Sequence, residues 1–184
     1  MSDKNPWKIN GSKKIYENPW IRVDEHDVIQ PKGAKGIYSV VHFQNLAIAI
    51  LPLDENHNTW IVGQWRFPVN EYSWEIIEGG GDINTDPIES AKRELQEEAG
   101  IIAEEFIKIQ EVHLSNSGTD EMGIIYVARN ISFTNSSPEE TEELQVQKIP
   151  FTQLFELVMR GEIKDGLTIM AVLKTKLLMD EGKI

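Results

Sequence analysis

Apolar and polar residues alternate through the first half of the chain, and helical spacing takes over only later. Ile15-Tyr16 and Trp20–Ile29 read as two short strands broken at Asn18-Pro19. Pro31-Lys32-Gly33 is a turn signal, and Ile37–Phe43, β-branched and aromatic, is the next strand. Leu46–Leu53 is nearly all apolar, as in a strand covered on both faces. Asp54–Asn58 reads as a hairpin loop with Trp60–Arg66 as its return strand, and Trp74–Ile77 as a short strand entering the glycine run. A helix follows, with Asp86 at the N-cap, Pro87 at its first position, Glu89 where a capping box wants a carboxylate and Gly100 as the left-handed stop. Ile88, Ala91, Leu95, Ala99 and Ile102 give its apolar face. Phe106–Leu114 and Met122–Arg129 read as a strand pair around the polar loop Ser115–Glu121, and the strand Leu144–Pro150 follows the acidic loop Pro138–Glu143. Two helices close the chain: Phe151–Arg160, stopped at Gly161, and Thr168–Met179, with Ile169, Val172, Leu173, Leu177 and Leu178 on one side.

Strands, helix, strands, helices is the order of an α/β protein with a mixed sheet and helices on its faces. Its 184 residues suit one domain, with or without a small appendage. With no cysteine, there is no disulfide framework, no thiol nucleophile and no cysteine metal site. Met1–Gly11 is polar and carries no leader-like apolar core, so a cytoplasmic location is expected. The net charge of −12 argues against nucleic acid or anionic membranes as partners, because both are held by basic surfaces.

The same helix has a second face. Glu94, Glu97 and Glu98 stand at i, i+3 and i+4, so they project within about 100° of one another. Like charges this close raise each other's pKa unless a cation intervenes. Arg93 can neutralise Glu97, four residues on, and the others suit a hard divalent ion such as magnesium. An isolated E-x-x-E-E is most often a solvated helix face. The full string R-E-x-x-E-E-x-G is rarer, on the order of one chance occurrence in ten thousand chains of this length.

Gly79 followed by Arg93–Ile101, RELQEEAGI, resembles the Nudix box, the signature of hydrolases acting on a nucleoside diphosphate linked to another moiety. Gly79, Arg93, Glu94, Leu95, Glu97, Glu98, Gly100 and Ile101 fit that pattern. Thr85 departs from it, standing where the first glutamate belongs, with Asp82 or Asp86 as substitutes for the missing charge. The resemblance implies an α-β-α sandwich over residues 44–184 and magnesium, or manganese in its place, on Glu94 and Glu98, with Glu97 bridging or paired to Arg93.

Other segments resemble the branch that hydrolyses ADP-ribose and nucleotide sugars. Gln64-Trp65-Arg66 matches a strand whose arginine, here Arg66, contacts substrate. Trp74–Gly79 matches the approach to the box, where the backbone carbonyl of Glu78 would be a metal ligand. Ser115–Glu121 matches a loop ending in a substrate-binding glutamate, Glu121. That loop lacks the proline that accompanies ADP-ribose preference, which implies a different or broader range of ADP-, GDP- or UDP-sugars. Glu139–Glu143 matches the acidic loop over the metals, with Glu140 as general base and Glu142 as a further metal ligand. Residues 1–43 would be a strand-rich subdomain exchanged across a homodimer, with an aromatic such as Trp20 stacking on substrate. The products would be a nucleoside monophosphate and a sugar phosphate.

Trp60, Trp65 and Trp74 are read as core, and the four histidines, which lack ligand spacing, as structural or exposed. Two alternatives remain: a nucleotide-binding sensor of the same fold without catalysis, suggested by Thr85, and a nucleoside triphosphate pyrophosphohydrolase. A calcium-binding protein is disfavoured, since no loop has EF-hand spacing.

Overall fold

Backbone pairing, more than side-chain pattern, organises the first forty-odd residues. In the computed structural model, which describes residues 4–136 and 144–184, β1 (Lys8–Glu17), β2 (Ile21–Ile29) and β3 (Lys35–Phe43) form an antiparallel sheet in that order. Asn18 shapes the first turn, its side-chain oxygen accepting from Trp20 N (2.9 Å) and Ile21 N (2.8 Å). Strand β1 begins at Lys8 rather than at Ile15. All its side chains are exposed, so it has no alternating buried face to read. It exists because its backbone pairs with β2 from Lys8↔Ile29 to Glu17↔Arg22.

These strands belong to a first compact unit, residues up to Asn45 together with His113–Glu121. The loop in that second segment docks on β3. Val41 N donates to Gly118 O (2.9 Å), Phe43 N to an Asp120 carboxylate oxygen (2.9 Å), and the Tyr38 hydroxyl to Ser117 O (2.6 Å). His42 Nδ1 lies 2.6 Å from Asp120, a structural role.

The second unit, Leu46–Val112 with Met122–Ile184, holds the remaining elements: β4 (Asn45–Pro52), β5 (Asn58–Arg66), β6 (Glu71–Glu75), β7 (Ile77–Asp82), α1 (Pro87–Ala99), β8 (Ile101–His113), β9 (Met122–Phe133), β10 (Gln145–Pro150), α2 (Phe151–Met159) and α3 (Gly166–Asp180). One sheet has the order β7-β4-β9-β8 and the other β10-β5-β6. The expected hairpin between β4 and β5 is therefore not formed. The turn itself is present, with Asp54 accepting from Asn56 N (2.9 Å) and Asn58 N (2.7 Å). Strand β4, however, is apolar on both sides and needs a neighbour along each edge. It takes β9 in parallel, Ile48↔Ile124 through Leu51↔Val127, and β7 on its other edge. Strand β5 crosses to the second sheet. Asp54 pairs with Lys148 of β10 (2.8 Å), and hydrogen bonds from Asn58, with that ion pair, more than offset burial to hold its carboxyl well below the usual range.

Helix α1 has the expected ends. Asp86 accepts from Ile88 N (3.1 Å), Pro87 opens the helix, and Gly100 closes it at φ 61°. The Glu89 carboxylate pairs with Lys92 (2.7 Å) instead of reaching back to the cap. Ala91 and Leu95 pack with Ile48, Ile50, Val62, Ile77, Ile124 and Tyr126 in one core cluster. Ile102, assigned above to this face, lies past the Gly100 stop on β8 and is exposed.

By the pleat of the strand, Ala49 and Leu51 point away from that cluster, and they too are fully buried. Helix α3 buries Leu167, Thr168, Ala171, Val172 and Thr175, with Leu167 beside Gly123 of β9. Val172 of the expected face is buried, whereas Leu173 and Leu177 of that face are exposed. Trp60 is buried as expected and Trp74 half-buried, whereas Trp65 is 58% exposed. Among the described residues no helix is long and apolar enough to cross a membrane.

Removing the α1 cap should cost about 1 kcal/mol. Asp86→Ala is therefore expected to lower the thermal midpoint by roughly 2–4 °C, read by circular dichroism.

Candidate active site

The carboxylate face of α1 is folded inward. Glu94 is 7% exposed and Glu98 2%, although both are charged groups of an acidic protein. Glu94 can sit there because the residue it lies against has no side chain: a Cβ on Gly79 of β7 would come within 2.0 Å of its carboxyl carbon. Arg93 supplies the compensating charge. Its Nη1 donates to Glu97 (2.6 Å), and its Nη2 to Glu94 (2.5 Å) and to the Gly80 carbonyl (2.8 Å). Burial works against the arginine's charge, and the two glutamates more than offset it.

On the same unit, an open cavity of about 770 Å³ is bordered by the end of β5, by β6 and by the loop before α3. Arg66 lines it. Its Nε lies 3.0 Å from both oxygens of Glu75, and Nη2 donates to the nearer one at 2.5 Å. Glu75 is buried, so this pair is firm. Removing one partner would cost on the order of 2–4 kcal/mol, less than for a fully buried pair because solvent reaches the guanidinium.

Residues 75–80 join the two places. Glu75 holds Arg66, Glu78 faces Asp165 and Thr168, Gly79 abuts Glu94, and Gly80 anchors Arg93. The Thr168 hydroxyl accepts from Ile76 N (3.0 Å) and donates to the half-buried carboxyl of Glu78 (3.2 Å). Burial first, then the charge and hydrogen bonding of Asp165 and the charge of Glu75, push that carboxyl well above the ordinary glutamate range, with Arg66 pulling the other way.

Residues 43–168 match the NUDIX domain. The chain belongs to the Nudix family. Residues 7–41 match the nucleoside diphosphate sugar hydrolase N-terminal domain, which sets it in that branch as a hydrolase of pyrophosphate anhydrides. It is 26% identical over 167 residues to the ADP-ribose pyrophosphatase of Bacillus subtilis, covering 90% of each chain. It is 31% identical over 129 residues to the GDP-mannose pyrophosphatase of Escherichia coli K12, covering 66% of this chain and 64% of that one. A crystal structure of an ADP compounds hydrolase superposes over the full length of both chains with a TM-score of 0.86 at 17% identity, a likeness of fold.

The Nudix box is thus read in three dimensions. Gly79, Arg93, Glu94 and Glu97 are brought together, and Glu98 is buried one turn along. Arg93 is held by Glu97, Glu94 and the Gly80 carbonyl, and none of these contacts involves Thr85. The proposed substitutes are occupied: Asp82 accepts from Asn84 N (2.8 Å), and Asp86 caps α1. Among the described residues no three acidic or histidine side chains gather as a ready-made metal cage, and Arg93 pairs with Glu94 and Glu97. The donor set nevertheless fits a hard cation, since all its atoms are oxygens. Glu140 and Glu142 lie outside the described residues.

Trp20 and Glu121 belong to the first unit, whereas Arg66 and the box glutamates belong to the second. Trp20 is 66% exposed. Glu121 is half-buried, and burial pushes its carboxyl up. Sequence reasoning missed Asp165, Lys164, Glu71 and Tyr72 of the cavity. Asp165 had a signal, an N-cap three residues before Thr168, whose N it accepts from at 2.6 Å. Lys164 and Glu71 are ordinary surface residues in the sequence.

Glu78 holds its proton more tightly folded than unfolded. Its contribution to stability is complete below the ordinary glutamate value and is lost as pH rises through the raised one. Glu78→Gln keeps the neutral form throughout. In chelator, between about pH 4 and pH 8, the variant should gain on the wild type as pH rises, ending roughly 2–4 °C higher in thermal midpoint. Parallel curves would show an unshifted carboxyl.

Proposed function

We propose that this protein is a magnesium-dependent pyrophosphatase of nucleoside diphosphate sugars, of the ADP-ribose and ADP-, GDP- or UDP-sugar type. It releases a nucleoside monophosphate and a sugar phosphate, and manganese can replace magnesium. The observation that carries this reading is the seam at residues 75–80, which ties the buried glutamates of α1 to an Arg66-lined cavity of small-ligand size. The pyrophosphatases named above support it.

Glu94, Glu98, Glu142 and the Glu78 carbonyl would hold the divalent ion, which neutralises phosphate oxygens and makes water more acidic when bound. Glu140, as general base, takes the proton of the water whose oxygen attacks one phosphorus. The bond from that phosphorus to the bridging oxygen breaks, and this oxygen leaves on the other phosphate. Glu97 holds Arg93, which keeps Glu94 turned toward Gly79. Arg66 offers Nη1 to the diphosphate while Glu75 fixes the plane of the guanidinium. Trp20 stacks on substrate and Glu121 contacts it.

Residues 1–43 are the dimer-forming part and residues 44–184 the hydrolase, with the first part exchanged between the two copies of a cytoplasmic homodimer. Exposed Ile9, Ile15, Tyr16 and Ile37 on the first unit support a partner there.

Assay of a nucleotide-sugar panel with and without magnesium should show metal-dependent release of nucleoside monophosphate. Inorganic pyrophosphate from nucleoside triphosphates would favour the triphosphate reading, and binding without turnover the sensor reading. Glu98→Gln should lower turnover about 100-fold or more at saturating magnesium, because a buried charged ligand is lost. Unchanged turnover would remove Glu98 from the metal site. Glu140→Gln should bind substrate normally and lose about 100-fold or more in kcat, and a wild-type rate would move the base elsewhere.

A further inference from the structure

Two cations line the cavity among the described residues, and they are held very differently. Arg66 lies against Glu75, whose side chain is 3% exposed, through Nε and Nη2. Withdrawing it would strand a buried carboxylate. Lys164, on the loop before α3, pairs with Glu71 at the start of β6 at 2.6 Å, and their side chains are 70% and 53% exposed. Such a pair is weak, since water screens it and both side chains lose freedom by staying together. The neighbouring carboxylates are engaged elsewhere: Glu162 with Arg160 (2.6 Å), and Asp165 with Thr168 N at the start of α3 (2.6 Å). Lys164 is thus the lining cation whose partner can be exchanged at little cost.

We propose that Lys164 is a substrate-positioning residue that Glu71 holds in reserve. When a nucleotide sugar enters, the ammonium leaves Glu71 for an anionic oxygen of the diphosphate, and Glu71 returns to water. This rests on the reading of the cavity as the nucleotide-sugar site. The two residues act in opposition: the lysine attracts the ligand, and the glutamate competes with the ligand for the lysine. Arg66 supplies a fixed, oriented contact, and Lys164 a mobile one that compensates charge as the ligand arrives.

The test is a double-mutant cycle on the full chain with Lys164→Gln, Glu71→Gln and the pair, plus Lys164→Arg. Steady-state kinetics and calorimetry use ADP-ribose and GDP-mannose as probes. Lys164→Gln should raise KM and Kd about fivefold or more with kcat within about twofold, and Lys164→Arg should restore most of the loss. Glu71→Gln should lower KM and Kd about twofold, and the double variant should match Lys164→Gln, since Glu71 acts only through the lysine. KM and Kd of Lys164→Gln equal to the wild type, or a Glu71→Gln effect that persists without the lysine, would overturn the proposal. If the wild type binds without turnover, Kd alone decides it by the same criteria. If the wild type neither binds nor cleaves these probes or any other member of the nucleotide-sugar panel, the proposed function itself falls, and the role of Lys164 with it.

Discussion

A helix can carry buried carboxylates only where a neighbour makes room and a cation stands close, and the second unit depends on both at one crossing. Strand β7 passes α1 at Gly79 with no side chain between them, so Glu94 can lie flat against the strand. One residue on, the Gly80 carbonyl grips the arginine that balances Glu94 and Glu97. Glycine is required at position 79 by contact distance, not by torsion angle, since it is not among the positive-φ positions of the chain. A methyl there would turn the Glu94 carboxylate away from the strand. Leu95 and Ala91 fix the helix by burying its other face in the core, so the acidic face has no freedom to roll outward.

That crossing is useful because of what precedes it on the same segment. Strands β6 and β7 belong to different sheets, and the chain passes between them at Ile76. Ile76 N, released from either ladder, is taken up by the Thr168 hydroxyl of α3. The unpaired backbone group at a strand junction is therefore what ties the last helix to the site, in keeping with the rule that buried amides find a partner. It also brings Asp165 and Glu78 together, because Asp165 is the cap of α3. One junction thus sets the position of the cavity wall, of the raised carboxyl and of the box glutamates.

Features legible in the sequence were those that local chemistry dictates. Asp86, Pro87 and Gly100 mark α1 because cap and stop are local, and Leu46–Leu53 announces a buried strand because both its faces are apolar. The partner of that strand was not legible. A short polar turn after Leu53 looks like a hairpin, and only the competing apolar run at Gly123–Ala128 makes the parallel pairing win. The face of α3 was only partly legible: Val172 is buried as expected, whereas Leu173 and Leu177 are exposed, and Leu167, outside the expected set, is what lies beside Gly123 of β9. At the site, the R-E-x-x-E-E spacing put Glu94, Glu97 and Glu98 on one face with Arg93 beside Glu97, and Arg93 contacts both Glu97 and Glu94. The cavity could not be read in advance, because Glu71 and Lys164 are 93 residues apart and carry no pattern.

The net charge of −12 gives the last step its direction. Each cation described at the site has a carboxylate already: Arg93 has two, Arg66 has Glu75, and Lys164 has Glu71. An anion entering such a site would either use a nitrogen its carboxylate leaves free, as Nη1 of Arg66, or exchange with a glutamate. The pairs differ in how readily they exchange. Burial ranks them. Glu75 is closed off from water, Glu94 nearly so, and Glu71 is more than half open. A pair open to water yields most readily because water takes over the displaced carboxylate.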